Sequence, residues 1–586
     1  MAGTGGATRP YGPTDQTNDF PEGACVNQSF DRRRFLALVG LGAAAVTGSG
    51  GLAGCTSKGT SGDGGTNAGE LSRVLPRYIP NTSVKADIQS ITGKNGASSD
   101  PIFLKYPDSP VTTVSGVPGK GGSYTTMTPL WGSIPPSSGN PYYEAVNRAL
   151  GATFTMQPAD GNTYGDKLPP LFAADKLPDW IQMAPWMTTK LNFAKAVGEK
   201  FVDLSPYLAG NAIEAYPNLA NIPSSAWAAG VWNGKLYGFP VSSTGFNSAG
   251  TYFYRKDIFD QLGIAADGIK GPDDLTALGK QLTDAKGGRW AFDDMFGGGG
   301  AYAAQIFKFP LSWDLDSAGK LIHKYETEGM LAALDWHQKL VKAGYVHPDA
   351  VAGNTETDQR FRSGKVVCHA GGVGAWNSDD AVSGTSANPR YNRQAFKALS
   401  IDGQPEVEIG SGAGWFSYLN KRLSDDQIKE CLAVANYLAA PYGSKEWLAV
   451  NFGTEGDLYE MKDGNPALTE KGSKYVATSY QWLASPPSVV VPKAGFVQVA
   501  KDFGAWQAQA VQYAVKRVFF GMNVTDPAQY ATIDQPVVDT ITDVRFGRKT
   551  LQDYKNAVET WRKAGGNAMR DFRKSVMDRY GTGLNS

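Results

Sequence analysis

From Tyr124 onward the chain alternates between two hydrophobic periods, and that alternation restricts the fold more than any other feature. Residues 124–131 are a β-rich run. Asn140-Pro141 then opens a helix, with Asn as N-cap and Pro at the first helical position, where its missing N–H costs nothing. Gly151 closes that helix, and Tyr142, Val146, Ala149 and Leu150 fall on one face. A strand over 152–157, a helix over 164–174 and a strand over 180–184 follow. This order reads as βαβ units on a parallel sheet, so the expected class is α/β.

The style repeats downstream. Residues 330–343 place Leu331, Leu334, Leu340 and Val341 on a helical stripe, and 365–370 read as a short buried strand. Ser424 to Gln427 form a capping box whose helix carries Ile428, Cys431, Leu432, Ala435 and Leu438 to a stop at Pro441. From Gln535 the chain reads as mostly helical. At about 150 residues per domain, 586 residues predict more than one core. Residues 72–123, rich in Pro, Gly, Ser and Thr, read as an extended segment wrapping a lobe.

The 56 basic and 56 acidic side chains cancel, which argues against a surface for nucleic acid. The N-terminus reads as an export address. Arg32, Arg33 and Phe35-Leu36 resemble a twin-arginine signal, an uncharged stretch follows, and Leu52-Ala53-Gly54-Cys55 resembles a lipobox whose cysteine is acylated. Six glycines between residues 40 and 54 make a membrane-spanning helix the poorer alternative. Residues 56–70 form a flexible tether. Cys25 leaves with the signal, so Cys368 and Cys431 remain; two unrelated buried thiols are expected, with a pairing outside the cell as the alternative.

Chemistry-bearing motifs are missing. His323, His337, His347 and His369 stand alone, no Cys pair has zinc spacing, and neither a nucleophile elbow nor a phosphate loop occurs. Asp314 to Gly319 faintly resembles a calcium loop but lacks its later ligands, so a β-turn is expected. Asp293-Asp294 and Asp379-Asp380 could supply an acid/base pair for glycoside hydrolysis, although adjacent carboxylates are commonly turn or cap residues. No cofactor, no metal and no catalytic residue is expected.

Several phrases, in order, resemble the extracellular solute-binding proteins of bacterial ABC importers, in the carbohydrate-binding branch that includes the maltose-binding and LplA types. They are Lys167-Leu168 to Leu177-Pro178-Asp179-Trp180, Asn233-Gly234-Lys235-Leu236-Tyr237-Gly238-Phe239-Pro240, Tyr252 to Asp257 with Leu262-Gly263, Phe361 to Val366 through Trp376, and Asn451 to Gly456 through Tyr459. The resemblance implies a two-lobed periplasmic-binding-protein-like fold with a hinge, an interlobe cleft and a helical C-terminal part. Carried onto this chain, residues 1–54 are the signal and 55–70 the tether. Lobe one takes 71–243 and 412–450, and lobe two takes 244–411, with 451–586 as its remainder and the C-terminal helices. Crossings fall near 240–246 and 411–415. The implied function is an extracellular lipoprotein that captures an oligosaccharide and delivers it to ABC permease subunits, as a monomer held to the outer face of the cell membrane by lipid. A secreted glycan-active enzyme, or the same fold binding peptide or another solute, are the alternatives.

Tryptophan suits that ligand. An indole covers the apolar C–H face of a pyranose at little entropic cost, while neighbouring polar groups take the hydroxyls. Of the 14 tryptophans, Trp186, Trp376 and Trp415 match positions where the family's aromatics stack on sugar. Trp131 and Phe246 are further candidates, and Trp336 and Trp447 are expected in cores. Glu455 is placed either on sugar hydroxyls or in a salt bridge that stabilises the turn at Gly456.

Overall fold

In the computed structural model, residues 63–584 are described except 131–132, 189–190, 378–379, 463 and 494; of residues 185, 186, 298, 375 and 528 only the backbone is described. The calls on Arg32, Arg33, Cys55 and Trp131 therefore lie outside the described residues. Among the described residues no helix is long and apolar enough to cross a membrane.

Nine strands make the two main sheets: β1 Ser123–Leu130, β2 Thr153–Asp160, β3 Trp180–Met183, β4 Phe239–Val241, β5 Thr251–Arg255, β6 Trp290–Phe292, β7 Val366–Gly371, β8 Arg393–Ala395 and β9 Trp415–Leu419. The first sheet has the order β2-β1-β3-β9-β4 and the second β8-β5-β7-β6. Local signals place the early elements. Asn140 accepts from the N–H groups of Tyr142 and Tyr143 at the head of the helix Pro141–Leu150, and Gly151 ends it at φ 65°. β1 pairs in parallel with β2 and β3. Neither sheet is wholly parallel, however: β9 runs antiparallel to β3 and β4, and β5 antiparallel to β7 and β8. The strands that receive the chain after the first two crossings, β5 and β9, run against their parallel neighbours.

Each sheet has its own hydrophobic core. The first gathers Tyr124, Phe154, Trp180, Phe239, Phe416 and the helix Asp425–Leu438, whose Ser424 capping box is formed. It also takes in Val450, Leu458, Tyr480, Leu483 and Ala484. Residues 451–484, expected in lobe two, thus pack in lobe one, because their apolar side chains meet the helix Pro141–Leu150 rather than the second sheet. The second core gathers Phe292, Phe307, Leu334 and Trp336 with the C-terminal helices Gln535–Arg545, Leu551–Trp561 and Asn567–Tyr580. Cys431 is buried in the first core and Cys368 in the second, and both are free thiols. Trp447 packs half-buried against a small cluster of Phe103, Tyr106 and Tyr442.

The start of the described chain bridges the two lobes. Gly64 exchanges hydrogen bonds with Asn233, and Thr66 Oγ1 accepts from the N–H of Gly234, both in lobe one. Asp63 accepts from Arg579 (2.9 Å) and, at its carbonyl, from the N–H of Thr525 (2.9 Å), both beside the second core. Gly65 lies so close to Tyr580 that a Cβ there would sit 2.3 Å from the ring, which explains the glycine.

Candidate functional site

Three segments run between the lobes: 242–250 from β4 to β5, 409–414 into β9, and 485–496 ahead of the helix Val497–Ala510. They are tied to one another. The N–H of Thr244 donates to Gly412 O (2.9 Å), that of Gly410 to Asn247 O (2.7 Å), and that of Ser488 to Ser243 O (2.7 Å). Such a narrow ribbon, with Ser242 at φ 52° and Gly250 at φ 143°, concentrates backbone change in a few residues, as a hinge requires.

The segment 72–123 does more than wrap lobe one. It pairs with the Ser444 turn through Val111 and then covers the crossing: the N–H of Ser98 donates to Gly245 O, and Phe103 and Val490 join Pro101 in a backbone ladder. Ala97 and Ile102 enter a third hydrophobic cluster with Phe246, Trp376, Phe503 and Trp506.

The strand register defines the lobe-one edge of the cleft. Trp415 opens β9 opposite Val241, the last residue of β4, and Phe416 lies opposite Met183, the last of β3. The last residues of β1, β3 and β4 and the first of β9 therefore share one edge. Trp186, in the short helix Pro185–Thr188, stands at this edge by its backbone. Trp415 is half-buried, its ring 4.8 Å from that of Trp482, with Leu130 and Val241 beneath the pair. Trp482 donates from Nε1 to Thr478 Oγ1 (3.1 Å). Sequence reasoning passed over Trp482, which sits in irregular chain with no periodic pattern around it.

Other candidates are placed differently. Trp376 follows β7 at the facing edge of lobe two, but its ring is turned inward, 1% exposed, between Phe253, Phe503 and Trp506. Phe246 is 3% exposed beside Trp506. Neither ring offers a free face to a sugar here; both stabilise the cluster beneath the crossing. Glu455 is exposed in a turn packed on lobe one, bridged through its backbone to Tyr459 and away from the Trp415 edge.

Three of the paired carboxylates, Asp293, Asp294 and Asp380, have structural partners, and Asp379 lies outside the described residues. Asp293 is held by Arg360 (2.6 Å to Nε, 3.1 Å to Nη2) and accepts from Thr357 Oγ1. Asp294 lies 2.8 Å from Arg545 and 3.2 Å from His337; despite burial, the Arg545 guanidinium holds its carboxyl well below the usual range. Asp380 meets Arg362, Arg393 and the Tyr391 hydroxyl. The Asp314 segment is a hairpin turn whose Asp316 accepts from the N–H groups of Ala318 and Lys320, while Asp314 pairs with Arg517. Burial lowers His369 to about 3, leaving it a neutral ring between Phe253 and Phe361. No group of His, Cys, Asp and Glu side chains able to hold a metal is present among the described residues.

Two α/β lobes joined by a narrow ribbon of crossings give the two-lobed architecture of solute-binding proteins. The chain belongs to the bacterial extracellular solute-binding proteins, whose family model matches residues 142–454, more than half of its length. It is 24% identical over 473 residues to Lipoprotein LipO of Bacillus subtilis, covering 76% of this chain and 91% of that protein. Among solved structures, the N-glycan transport solute-binding protein NgtS of Streptococcus pneumoniae matches with a TM-score of 0.57 at 14% identity, over 78% of this chain and 99% of that one. An HMO-binding solute-binding protein associated with an ABC transporter of Bifidobacterium longum infantis matches at 0.55 and 14% identity, over 79% and 99%.

Proposed function

We propose that the protein is the substrate-binding lipoprotein of an ABC importer, capturing an oligosaccharide in the interlobe cleft and delivering it to permease subunits at the outer face of the cell membrane. The observation that carries the reading is the Trp415–Trp482 pair, a half-open indole held rigidly by a second one at the lobe-one strand edge. Trp186, whose backbone stands at the same edge, is proposed as a further stacking surface, and so is Trp131. Ligand that touches both lobes only when they close shifts the open–closed equilibrium by its differential contacts, and the closed form presents the surface that a permease reads. Acylated Cys55, reached through the Arg32-Arg33 signal, is the proposed anchor, and the working unit is a monomer.

A glycan library screened by thermal shift tests the reading, because a ligand at 100 times its Kd adds about 2.7 kcal/mol of stability. For an oligosaccharide found this way, Trp415→Ala is expected to weaken binding by about 2 kcal/mol in calorimetry. Unchanged affinity would remove Trp415 from the site. The oligosaccharide should also be recovered intact by chromatography; its cleavage would favour a glycan-active enzyme.

A further inference from the structure

The lobes also meet along a seam outside the three crossings, where chain continuity requires no contact. From lobe two, the Asn523 amide donates to the carbonyl oxygens of Ala229 and Val231 in lobe one, both at 2.8 Å. Residues 63–66, expected to belong to the tether, lie in the same seam. A Cβ on Gly64, which has φ 85°, would sit 3.1 Å from the Trp232 ring of lobe one and 3.2 Å from Asn523 O. Gly65 beside it lies against Tyr580 of lobe two. The strap is thus threaded between the lobes and holds both, through Asn233 and Gly234 on one side and Arg579 and Thr525 on the other.

Two observations set this seam apart from ordinary packing. A cavity of about 240 Å³ lies between it and the second crossing, walled by Ala229, residues 408–411 and residues 517–523. The lobes therefore touch at the ribbon and again across a gap, and rotation about the ribbon must move the seam contacts. A hydrogen bond of 2.8 Å is lost after a displacement of about 1 Å, so the seam fits one lobe angle. The second observation is strain. Phe519 has φ 68°, a left-handed conformation that a bulky residue rarely adopts. Its N–H donates to Thr582 O (2.8 Å), and Asp526, further along the segment, is held by Arg573 at 2.7 Å. Strain of this kind persists where surrounding structure enforces it, and it collects at switch segments.

We infer that residues 63–66 and 519–525 form a latch that holds the two lobes at a set angle, whichever solute the cleft takes. Apparent affinity scales with the fraction of molecules at the binding-competent angle, so the latch tunes capture without touching the ligand. Residues 56–62 are all that separates it from Cys55, so the tether joins the body at the latch itself. The test uses the full chain with Cys25→Ser and Cys55→Ser; the two remaining thiols, Cys368 and Cys431, are buried. Spin labels are attached at Lys176→Cys and Lys286→Cys, exposed positions just ahead of β3 and β6. Both strands point their carboxyl ends at the crossings, so the labels lie at the far ends of the lobes and their separation reports the lobe angle. Pulsed electron resonance should show one dominant distance for the latched protein. In the Asp63→Ala, Asn523→Ala double variant, which loses an ion pair and two amide hydrogen bonds, the ratio of that population to all others should fall at least about tenfold. Gly65→Ala, whose Cβ would collide with the Tyr580 ring, should shift the distances in the same way without removing a polar group. Should the double variant fail to fold, Gly65→Ala is read alone. Unchanged distances in variants that keep the wild-type circular dichroism would overturn the latch. Loss of the fold in both would also overturn it, because a latch releases while the lobes stay intact.

Discussion

Asp100 joins the N-terminal segment to both sides of the crossing, and its charge can be removed without changing its shape. Thr244 Oγ1 donates to one carboxylate oxygen (2.9 Å), Gln507 Nε2 donates to the other (3.0 Å), and the Asp100 N–H donates to Gln507 Oε1 (2.7 Å). Burial pushes the carboxyl up from its usual 3.8 to about 6, against the pull of those two hydrogen bonds. Between these values the folded state holds a proton that the unfolded chain has released, so stability falls as pH rises through the window and is level above it. Each pH unit is about 1.4 kcal/mol, which sets the cost of the ionised form at about 3 kcal/mol at most. Asp100→Asn fits the same space. Its amide can donate to Thr244 Oγ1 while its oxygen still accepts from Gln507. The variant should therefore exceed wild type in stability by up to about 3 kcal/mol near pH 8, with the gap closing towards about pH 4. Denaturant midpoints of the two proteins, compared pH by pH, read this directly. A variant that is less stable near pH 8, or a gap that does not change with pH, would refute the reasoning.

Trp376→Ala should cost about 3–5 kcal/mol of stability in thermal or denaturant unfolding, as expected for a sealed core ring; loss of ligand affinity at unchanged stability would contradict the placement. Asp293→Ala strands Arg360, which is 4% exposed, and should destabilise by about 3–5 kcal/mol on the same assay. Glu326 carries a pH dependence of opposite sign to Asp100. Although burial opposes it, Arg570 and Arg562 hold its carboxyl below the usual value, so its contribution is complete above the unfolded value near 4.5 and is lost as pH falls. Glu326→Gln should lower stability by about 2 kcal/mol at neutral pH and by much less near pH 3, measured by urea midpoints.

What was legible in the sequence was local. The Asn140 cap, the Gly151 stop and the Ser424 capping box are fixed by neighbours a few residues away, and the structure forms all three where expected, with the chain mostly helical from Gln535. The direction of a ring at the end of a strand is a different kind of fact. Trp376 turns inward because Phe503 and Trp506 arrive from a helix far along the chain, and no local pattern announces them. The same holds for Tyr480 and Leu483, whose partners in lobe one are strands and helices from much earlier in the chain. The path of residues 88–103 was also hidden. Ile102 pairs with Ile88 and Val490 through single bridges, which leave no period in the sequence to read.

The bridging start of the described chain has a consequence for a protein suspended from a membrane. Asp63 grips one half through Arg579 and Thr525, and Gly64 and Thr66 grip the other through Asn233 and Gly234. With Cys55 as the proposed anchor, the molecule hangs by its seam and not by either jaw. Both jaws then swing about the point of suspension, and closing draws neither of them further from the membrane than the other.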